Sequence, residues 1–118
     1  MKYYELELNG RTVKFRLTSN DCMTIEKSSG KAITDFFGEL SMTTVITLLR
    51  YMVRSSQHDF DIEDASKLYD ELIDAGYTLE TIISKIILEA LAVSGFMSKT
   101  DLATVQDVKE ELKKKAQK

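Results

Sequence analysis

Residues 3–17, YYELELNGRTVKFRL, predict a β-hairpin at the start of a chain of 118 residues. Two runs of alternating apolar and polar residues flank Asn9-Gly10, a pair typical of the type I′ turn, whose two central residues both need φ > 0. The turn fixes the register, so that Leu8 faces Arg11, Leu6 faces Val13, Tyr4 faces Phe15 and Glu5 faces Lys14. The hairpin therefore has an apolar face, continued by Leu17, and a charged face.

A two-stranded hairpin alone is only marginally stable in water. Its apolar face must therefore pack on helices of the same chain, or its edges must join a sheet with another copy. The rest of the sequence has the three-and-four spacing of helices, in segments at about 21–29, 33–40, 42–53, 61–75, 79–96 and 100–118. The expected fold is mainly α: a helical domain with an N-terminal two-stranded antiparallel β-hairpin.

Short polar side chains and glycines mark the ends of these helices. The candidate N-caps are Ser19, Asn20 and Asp21 for the first helix, Ser41 for the third and Thr78 for the fifth; Asp61 and Asp64 open the fourth, and Gly30 and Gly76 are candidate stops. The short segment at 33–40 is expected to plug the core with the rings of Phe36 and Phe37.

The length suits one domain. We expect residues 1–98 to form the hairpin and the helical core, and residues 99–118 to form a C-terminal amphipathic helix or a partly ordered tail. Four methionines, Met23, Met42, Met52 and Met97, are expected to fill the core, with an adaptable binding surface as the alternative.

Two apolar surfaces are candidates for contact with a partner or with another copy. The isoleucine-rich helix at 79–96 is apolar nearly all round, which is typical of a helix at the centre of a fold or in an interface. The tail has a narrower stripe, which resembles a coiled-coil seam and suits docking on the domain or on a partner helix. The candidate partner-binding residues are Ile83, Ile87, Leu91, Leu102, Val105, Val108 and Leu112.

Charge is distributed unevenly along the chain, whose formal net charge is −3. Residues 59–80 contain eight acids and one base, Lys67, whereas residues 98–118 contain six lysines and four acids. The acidic balance argues against nucleic acid as the main partner, because basic surface supplies the affinity for phosphates. The acidic middle and the basic ends could attract each other between subunits, or could simply be solvated.

Few residues suggest chemistry. The sole histidine, His58, lies in a polar loop with neither a nucleophile nor metal ligands at ordered spacing, and is expected to be solvated. The single cysteine, Cys22, is expected to be a small buried hydrophobe in a reducing cytoplasm. The acids at 59–64 lack the glycine of a calcium loop. We expect no enzymatic activity, no metal, no cofactor, no signal peptide and no membrane span.

The order of elements resembles the start of tail assembly chaperones from siphophages and prophages of Gram-positive bacteria. Those proteins begin with a hairpin of the type E-x-x-L-x-G-x-x-Y-x-L-R-L, followed by a helix that closes E-K-x-x-G-x-[NS] and by a segment [LI]-x-D-x-F. The matching residues here are Leu8, Gly10, Phe15, Leu17, Glu26, Lys27, Gly30, Ile33, Asp35 and Phe37. The run at 68–96, which finishes Ser94-Gly95-Phe96, resembles the last core helices of the family, so the resemblance spans residues 2–97. Lys31-Ala32 departs from the pattern, since the family often has Asn-Pro there.

The resemblance implies an assembly role in the host-cell cytoplasm. Such proteins bind the long, aggregation-prone tape measure protein, help to recruit tail tube subunits around it, and are absent from the finished virion. An oligomer of small helical domains would offer repeated apolar grooves to a long helical client. In many phages a ribosomal frameshift adds a C-terminal domain, and the codons of 113–115 could be the slippery site.

A second class of function is a small regulatory adaptor that acts through an acidic surface. The excess of acids at 59–80 would let such a protein imitate nucleic acid. Strong affinity for a nucleic-acid-binding protein, with none for a tape measure fragment, would favour this alternative.

Overall fold

A computed structural model of the protein describes residues 2–96 and begins with the predicted hairpin. Strand β1 is Tyr4–Leu8 and strand β2 is Arg11–Phe15, paired antiparallel. Asn9 has φ 50° and Gly10 has φ 79°, as the type I′ turn requires. The pairs across the ladder are those predicted, from Tyr4 with Phe15 to Leu8 with Arg11, so the register is confirmed.

The apolar face of the hairpin packs on helices of its own chain. Its most deeply buried side chains, each at most 4% exposed, are Leu8, Val13, Phe15 and Leu17. At the base of the hairpin, the Arg16 N–H donates to the Met52 carbonyl at 3.0 Å, and the Leu17 N–H donates to Oγ of Ser94 at 2.9 Å. The hairpin is thereby tied to two helices, and the mainly α fold with an N-terminal antiparallel hairpin is confirmed.

Helix α1 is Ser19–Ser29, and its N-cap lies one residue before the first of the predicted caps. Its N-cap is Thr18, whose Oγ1 accepts from the Asp21 N–H, while the Asp21 carboxylate accepts from the Thr18 N–H. This reciprocal capping box satisfies two N–H groups that would otherwise lack partners, which is why Thr18 replaces the predicted candidates as cap. Gly30, at φ 72°, ends the helix as predicted.

Helix α2, Ile33–Gly38, has no N-cap side chain of its own, because Ala32 stands at that position. The Glu26 carboxylate of α1 accepts from the Ile33 N–H at 2.9 Å instead. Of the two rings expected to plug the core, only Phe36 is buried; Phe37 is half-buried and meets Phe96 edge to face, with ring centroids 6.3 Å apart.

Helix α3, Met42–Arg54, and helix α4, Ile62–Asp74, pack against each other. Ser41 caps α3 as predicted. Asp61 caps α4 in a capping box with Asp64. Both helices are amphipathic, but their apolar faces are not wholly buried: Met42, Ile62 and Ile73 are exposed.

The helix predicted from 79 onward begins where expected, with Thr78 as its N-cap. It is divided into α5, Leu79–Ile82, a π-helical turn, Ile83–Ile87, and α6, Leu88–Val93. The π-helical turn, whose hydrogen bonds run one residue further back than in an α-helix, was not predicted. Its isoleucines face the core, so the segment lies at the centre of the fold. A central position was one of the two expected for a helix that is apolar nearly all round, the other being an interface.

Buried side chains from the hairpin and from α1 to α6 form one hydrophobic cluster within residues 2–96. The predicted boundary between residues 98 and 99, and the tail that follows, lie outside the described residues.

Gly10→Ala should lower the free energy of unfolding by about 1 kcal/mol, because an L side chain is strained at positive φ. Gly38→Ala is the matched control: Gly38 also has no neighbour within 4 Å of an added Cβ, but it lies at the end of a helix without positive φ. Urea denaturation followed by circular dichroism measures both variants. An equal loss at the two positions would contradict the role of the turn.

Candidate functional site

The tip of the hairpin is fastened to α4 by one carboxylate. Glu71 accepts from Nη1 and Nη2 of Arg11, one bond to each oxygen and each 2.6 Å long. The Asn9 amide adds a third bond of 2.6 Å, to Oε2. These bonds lower the pKa of Glu71, with the Arg11 hydrogen bond as the largest cause. The Arg11 side chain is 50% exposed and that of Glu71 is 25% exposed, so we expect about 1 kcal/mol from the pair.

Helix α4 and its flanks form an acidic surface, and the acids on it have different roles. Asp61 and Asp64 cap the helix, and hydrogen bonds from its backbone, chiefly from the Asp64 N–H, lower the pKa of Asp61. Glu71 holds the hairpin. Four acids of the segment, Asp59, Glu63, Asp70 and Asp74, are exposed and form no such bond within residues 2–96. A cationic partner would meet these four first.

A mostly apolar strip, with one serine among its four residues, runs along the same helix beside these acids. Its members are Ile62, Ser66, Tyr69 and Ile73, which we call the α4 seam. Ile62 and Ile73 are 44% and 39% exposed, and the two residues between them are half-buried. Because the intervals are four, three and four residues, the four side chains share one face of the helix. That face is suited to a second helix.

The predicted partner-binding residues fall into two groups. Ile83, Ile87 and Leu91 are 9%, 0% and 1% exposed and lie in the core. They pack against the chain's own elements, so a partner docked on this fold would not touch them, and we assign them a core role instead. Leu102, Val105, Val108 and Leu112 lie outside the described residues.

The methionines differ from expectation. Met52 is fully buried, as predicted, but Met23 on α1 is 53% exposed and Met42 at the start of α3 is 44% exposed. Met97 lies outside the described residues. Helical spacing did not predict the exposure of Met23 because α1 is short and buries few residues. It did not predict the exposure of Met42 because this residue is the first of its helix, where no preceding turn covers it.

The two reactive residue types lie where the sequence placed them. Cys22 is buried, and burial raises the pKa of its thiol to about 11. His58 is exposed at the edge of a cleft of about 410 Å³ whose other walls include Tyr51 and Arg54. Across residues 2–96, histidine, cysteine and carboxylate side chains form no group of three or more that could hold a metal ion.

No helix within residues 2–96 combines the length and apolar character that crossing a membrane requires. Comparisons of the chain with models of protein families, with curated proteins and with solved structures find no match. The exposed surfaces of the fold bear on its function. They consist of exposed apolar side chains beside acids, an arrangement that suits binding.

Glu71→Gln should lower the free energy of unfolding by about 1 kcal/mol at neutral pH, because it removes the charge that Arg11 faces. Glu5→Gln is the control, since the Glu5 carboxylate lies 4.0 Å from Nζ of Lys14 in a more exposed pair and should change stability by less than about 0.5 kcal/mol. Urea denaturation measures both.

The same pair predicts a pH dependence. The folded-state pKa of Glu71 is lowered, so its contribution is present above the ordinary value of 4.5 and is lost as the pH falls through the folded-state value. Wild-type protein should therefore lose more stability than Glu71→Gln as the pH is lowered from 6 through that range. Parallel stability curves for the two proteins would rule out this role for Glu71.

Cys22 should react slowly with iodoacetamide in native protein at pH 8, because its thiol is buried and its pKa is about 11. Mass spectrometry over time should show alkylation at least about tenfold faster in urea than in buffer. Equal rates in both solutions would show that the thiol is accessible in the folded protein.

Proposed function

We propose that this protein is a tail assembly chaperone of a siphophage or prophage, which binds the tape measure protein in the host cytoplasm and helps to recruit tail tube subunits. The proposal rests on the resemblance over residues 2–97. It is supported by the place of the shared motif in the fold: Leu8, Phe15 and Leu17 are buried against the helices, and Gly10 has the positive φ of the turn. The motif thus has a structural reason to be retained in such a family.

The observation that carries the binding role is the exposure of Met23 and Met42. A methionine side chain is unbranched and polarizable, so it adapts to differently shaped apolar partners. Surfaces that accept many segments of a long amphipathic helix need this property. Each methionine is followed by an exposed polar residue, Thr24 or Thr43, which helps to keep that part of its helix soluble when no client is bound.

Self-association would suit the same role. A long tape measure helix presents similar apolar stripes repeatedly, so several copies of a small domain bound side by side would cover it. The proposed complex is therefore a homo-oligomer on one tape measure chain. Recruitment of tail tube protein would then follow, either by this chain or by a longer frameshifted form.

The acidic adaptor is the second candidate function. It is supported by the four exposed acids of this segment, three on α4 and one, Asp59, just before it, whose carboxylates form no hydrogen bond or ion pair with the described residues. A basic protein partner would bind there with strong dependence on salt.

Co-expression with the tape measure protein from the same locus tests the chaperone proposal. We expect the tape measure protein to become soluble and to elute with several copies of this chain in size exclusion with light scattering. An insoluble tape measure protein beside a freely eluting monomer would overturn the proposal, and capture of a basic protein instead would favour the adaptor.

Met23→Asp together with Met42→Asp should weaken tape measure binding at least about tenfold, because each replaces an exposed apolar side chain with a charged one. Thr24→Asp together with Thr43→Asp is the matched control, since these exposed residues are the immediate neighbours of the methionines on the same helices. Titration of a labelled tape measure fragment measures both. If the control weakened binding as much, added charge rather than lost apolar contact would be the cause.

A further inference from the structure

The hairpin is a two-stranded sheet, so each of its strands has an outer edge. In an antiparallel pair closed by a two-residue turn, Leu8 and Arg11 exchange hydrogen bonds, and every second pair along the ladder does the same. The backbone N–H and C=O groups of Leu6 and Leu8 therefore point into the ladder. Those of Glu5 and Glu7 point out of it, so the edge of β1 presents two donors and two acceptors where a third strand would pair.

The two edges of the hairpin differ in what lies against them. Within residues 2–96, no backbone group of Glu5 or Glu7 forms a hydrogen bond outside the hairpin, and both residues are exposed. On the other edge, the Arg16 N–H, just after β2, donates to the Met52 carbonyl of α3 at 3.0 Å. A strand added to β2 would therefore meet α3 two residues beyond Lys14, whereas a strand added to β1 meets no such bonded helix.

The apolar face of the hairpin is covered unevenly. Val13 and Phe15 of β2 are 3% and 0% exposed. Their partners across the ladder, Leu6 and Tyr4, are only half-buried. An apolar side chain on a third strand beside β1 would lie next to Leu6 and Tyr4 and would complete their cover.

The opposite face of β1 is acidic. The Glu5 carboxylate lies 4.0 Å from Nζ of Lys14, and both side chains are about half exposed. The Glu7 carboxylate accepts from the Thr12 hydroxyl. A carboxylate has about four acceptor sites, so each of these acids can accept from a further donor. Lysine or arginine at the opposite positions of a third strand would be favourable there, and an acid would not.

The same acids disfavour a second copy of this chain as the third strand. Two β1 strands paired antiparallel about their centres would place Glu5 of one copy opposite Glu5 or Glu7 of the other, and like charges directly opposite destabilise a sheet. The β2 edge of another copy would offer Lys14, but the bond of α3 to Arg16 limits that edge to Thr12 and Lys14. A strand of a different protein is under neither constraint.

We propose that the edge of β1 binds an extended segment of another protein, which adds a third strand to the hairpin. The segment carries lysine or arginine at the two positions opposite Glu5 and Glu7, with an apolar residue between them that covers Leu6. Hydrogen bonds to the main chain give the affinity, and the alternating side chains give the selectivity. This proposal is independent of the proposed function, in which the client binds as a helix beside the exposed methionines.

A labelled, end-blocked peptide, Thr-Val-Lys-Val-Lys-Val-Thr, tests the chemistry of the segment by titration into the full-length protein. Two control peptides have the same length: one replaces both lysines with glutamate, and the other has the order Thr-Val-Lys-Lys-Val-Val-Thr, which keeps the charge but not the alternation. We expect each control to bind at least about fivefold more weakly than the alternating lysine peptide. Equal affinities, or no binding of the alternating lysine peptide, would overturn the proposal.

Proline variants test whether the main chain of this edge forms the bonds. Glu7 and Thr12 face each other in one pair, and their N–H groups point to opposite edges. Glu7→Pro should weaken binding of the alternating lysine peptide at least about tenfold and more than Glu7→Gln, which keeps the N–H. Thr12→Pro is the matched control and should leave binding unchanged. Equal weakening by the two proline variants would contradict binding at β1.

Amide hydrogen exchange of the wild-type protein locates the peptide without any substitution. Without peptide, the amides of Glu5 and Glu7 should exchange faster than those of Leu6 and Leu8, which are bonded in the ladder. Saturating alternating lysine peptide should slow Glu5 and Glu7 at least about fivefold and leave Thr12 unchanged. Slower exchange at Thr12 instead would place the peptide on the other edge and overturn the proposal.

Light scattering of the protein without peptide tests the rival occupant. The same size for wild-type protein, Glu7→Pro and Thr12→Pro supports a different protein as the source of the third strand. Oligomers of wild-type protein that dissociate in Glu7→Pro but persist in Thr12→Pro would show that a second copy occupies the edge of β1, and the proposal would be wrong.

Discussion

The fold depends on a constraint at its beginning: the type I′ turn at Asn9-Gly10 allows only one register. A shift of one residue would turn every apolar side chain of the hairpin to solvent. With the register fixed, the buried face and the hydrogen bonds at both ends follow. The tip holds α4 through Glu71, and the base holds α3 and α6 through Met52 and Ser94. The two short strands thus set the relative positions of three helices that are distant in sequence.

The parts of this structure that the sequence predicted are those decided by neighbouring residues. The turn residues with φ > 0 determine the strand register, and cap residues such as Asp61 and Thr78 determine where a helix begins. Both effects involve residues at most four positions apart, so the strand register and most helix starts could be predicted. Thr18 could have been found from the same rule, because Asp21 stands three residues later, as a capping box requires.

The parts that were missed depend on distant contacts. The Glu26 carboxylate caps α2 and Glu71 binds Arg11 across 60 positions of sequence, and no periodicity signals either bond. Apolar spacing also shows which face of a helix is hydrophobic but not how much of it is covered. Ile62 and Ile73 continue the apolar spacing of α4, for example, although the structure leaves them on the surface.

The candidate binding surface follows from this difference between apolar spacing and actual burial. Leu91 and the buried isoleucines belong to the most apolar part of the chain. They are not available to a partner, because a small domain must bury its most apolar segment to be stable. The apolar residues left exposed for binding lie outside the core, at helix starts, on the outer face of α4 and on the short helix α1. In a domain of this size, the exposed residues of otherwise apolar helical faces are better indicators of a binding surface than the most hydrophobic helix.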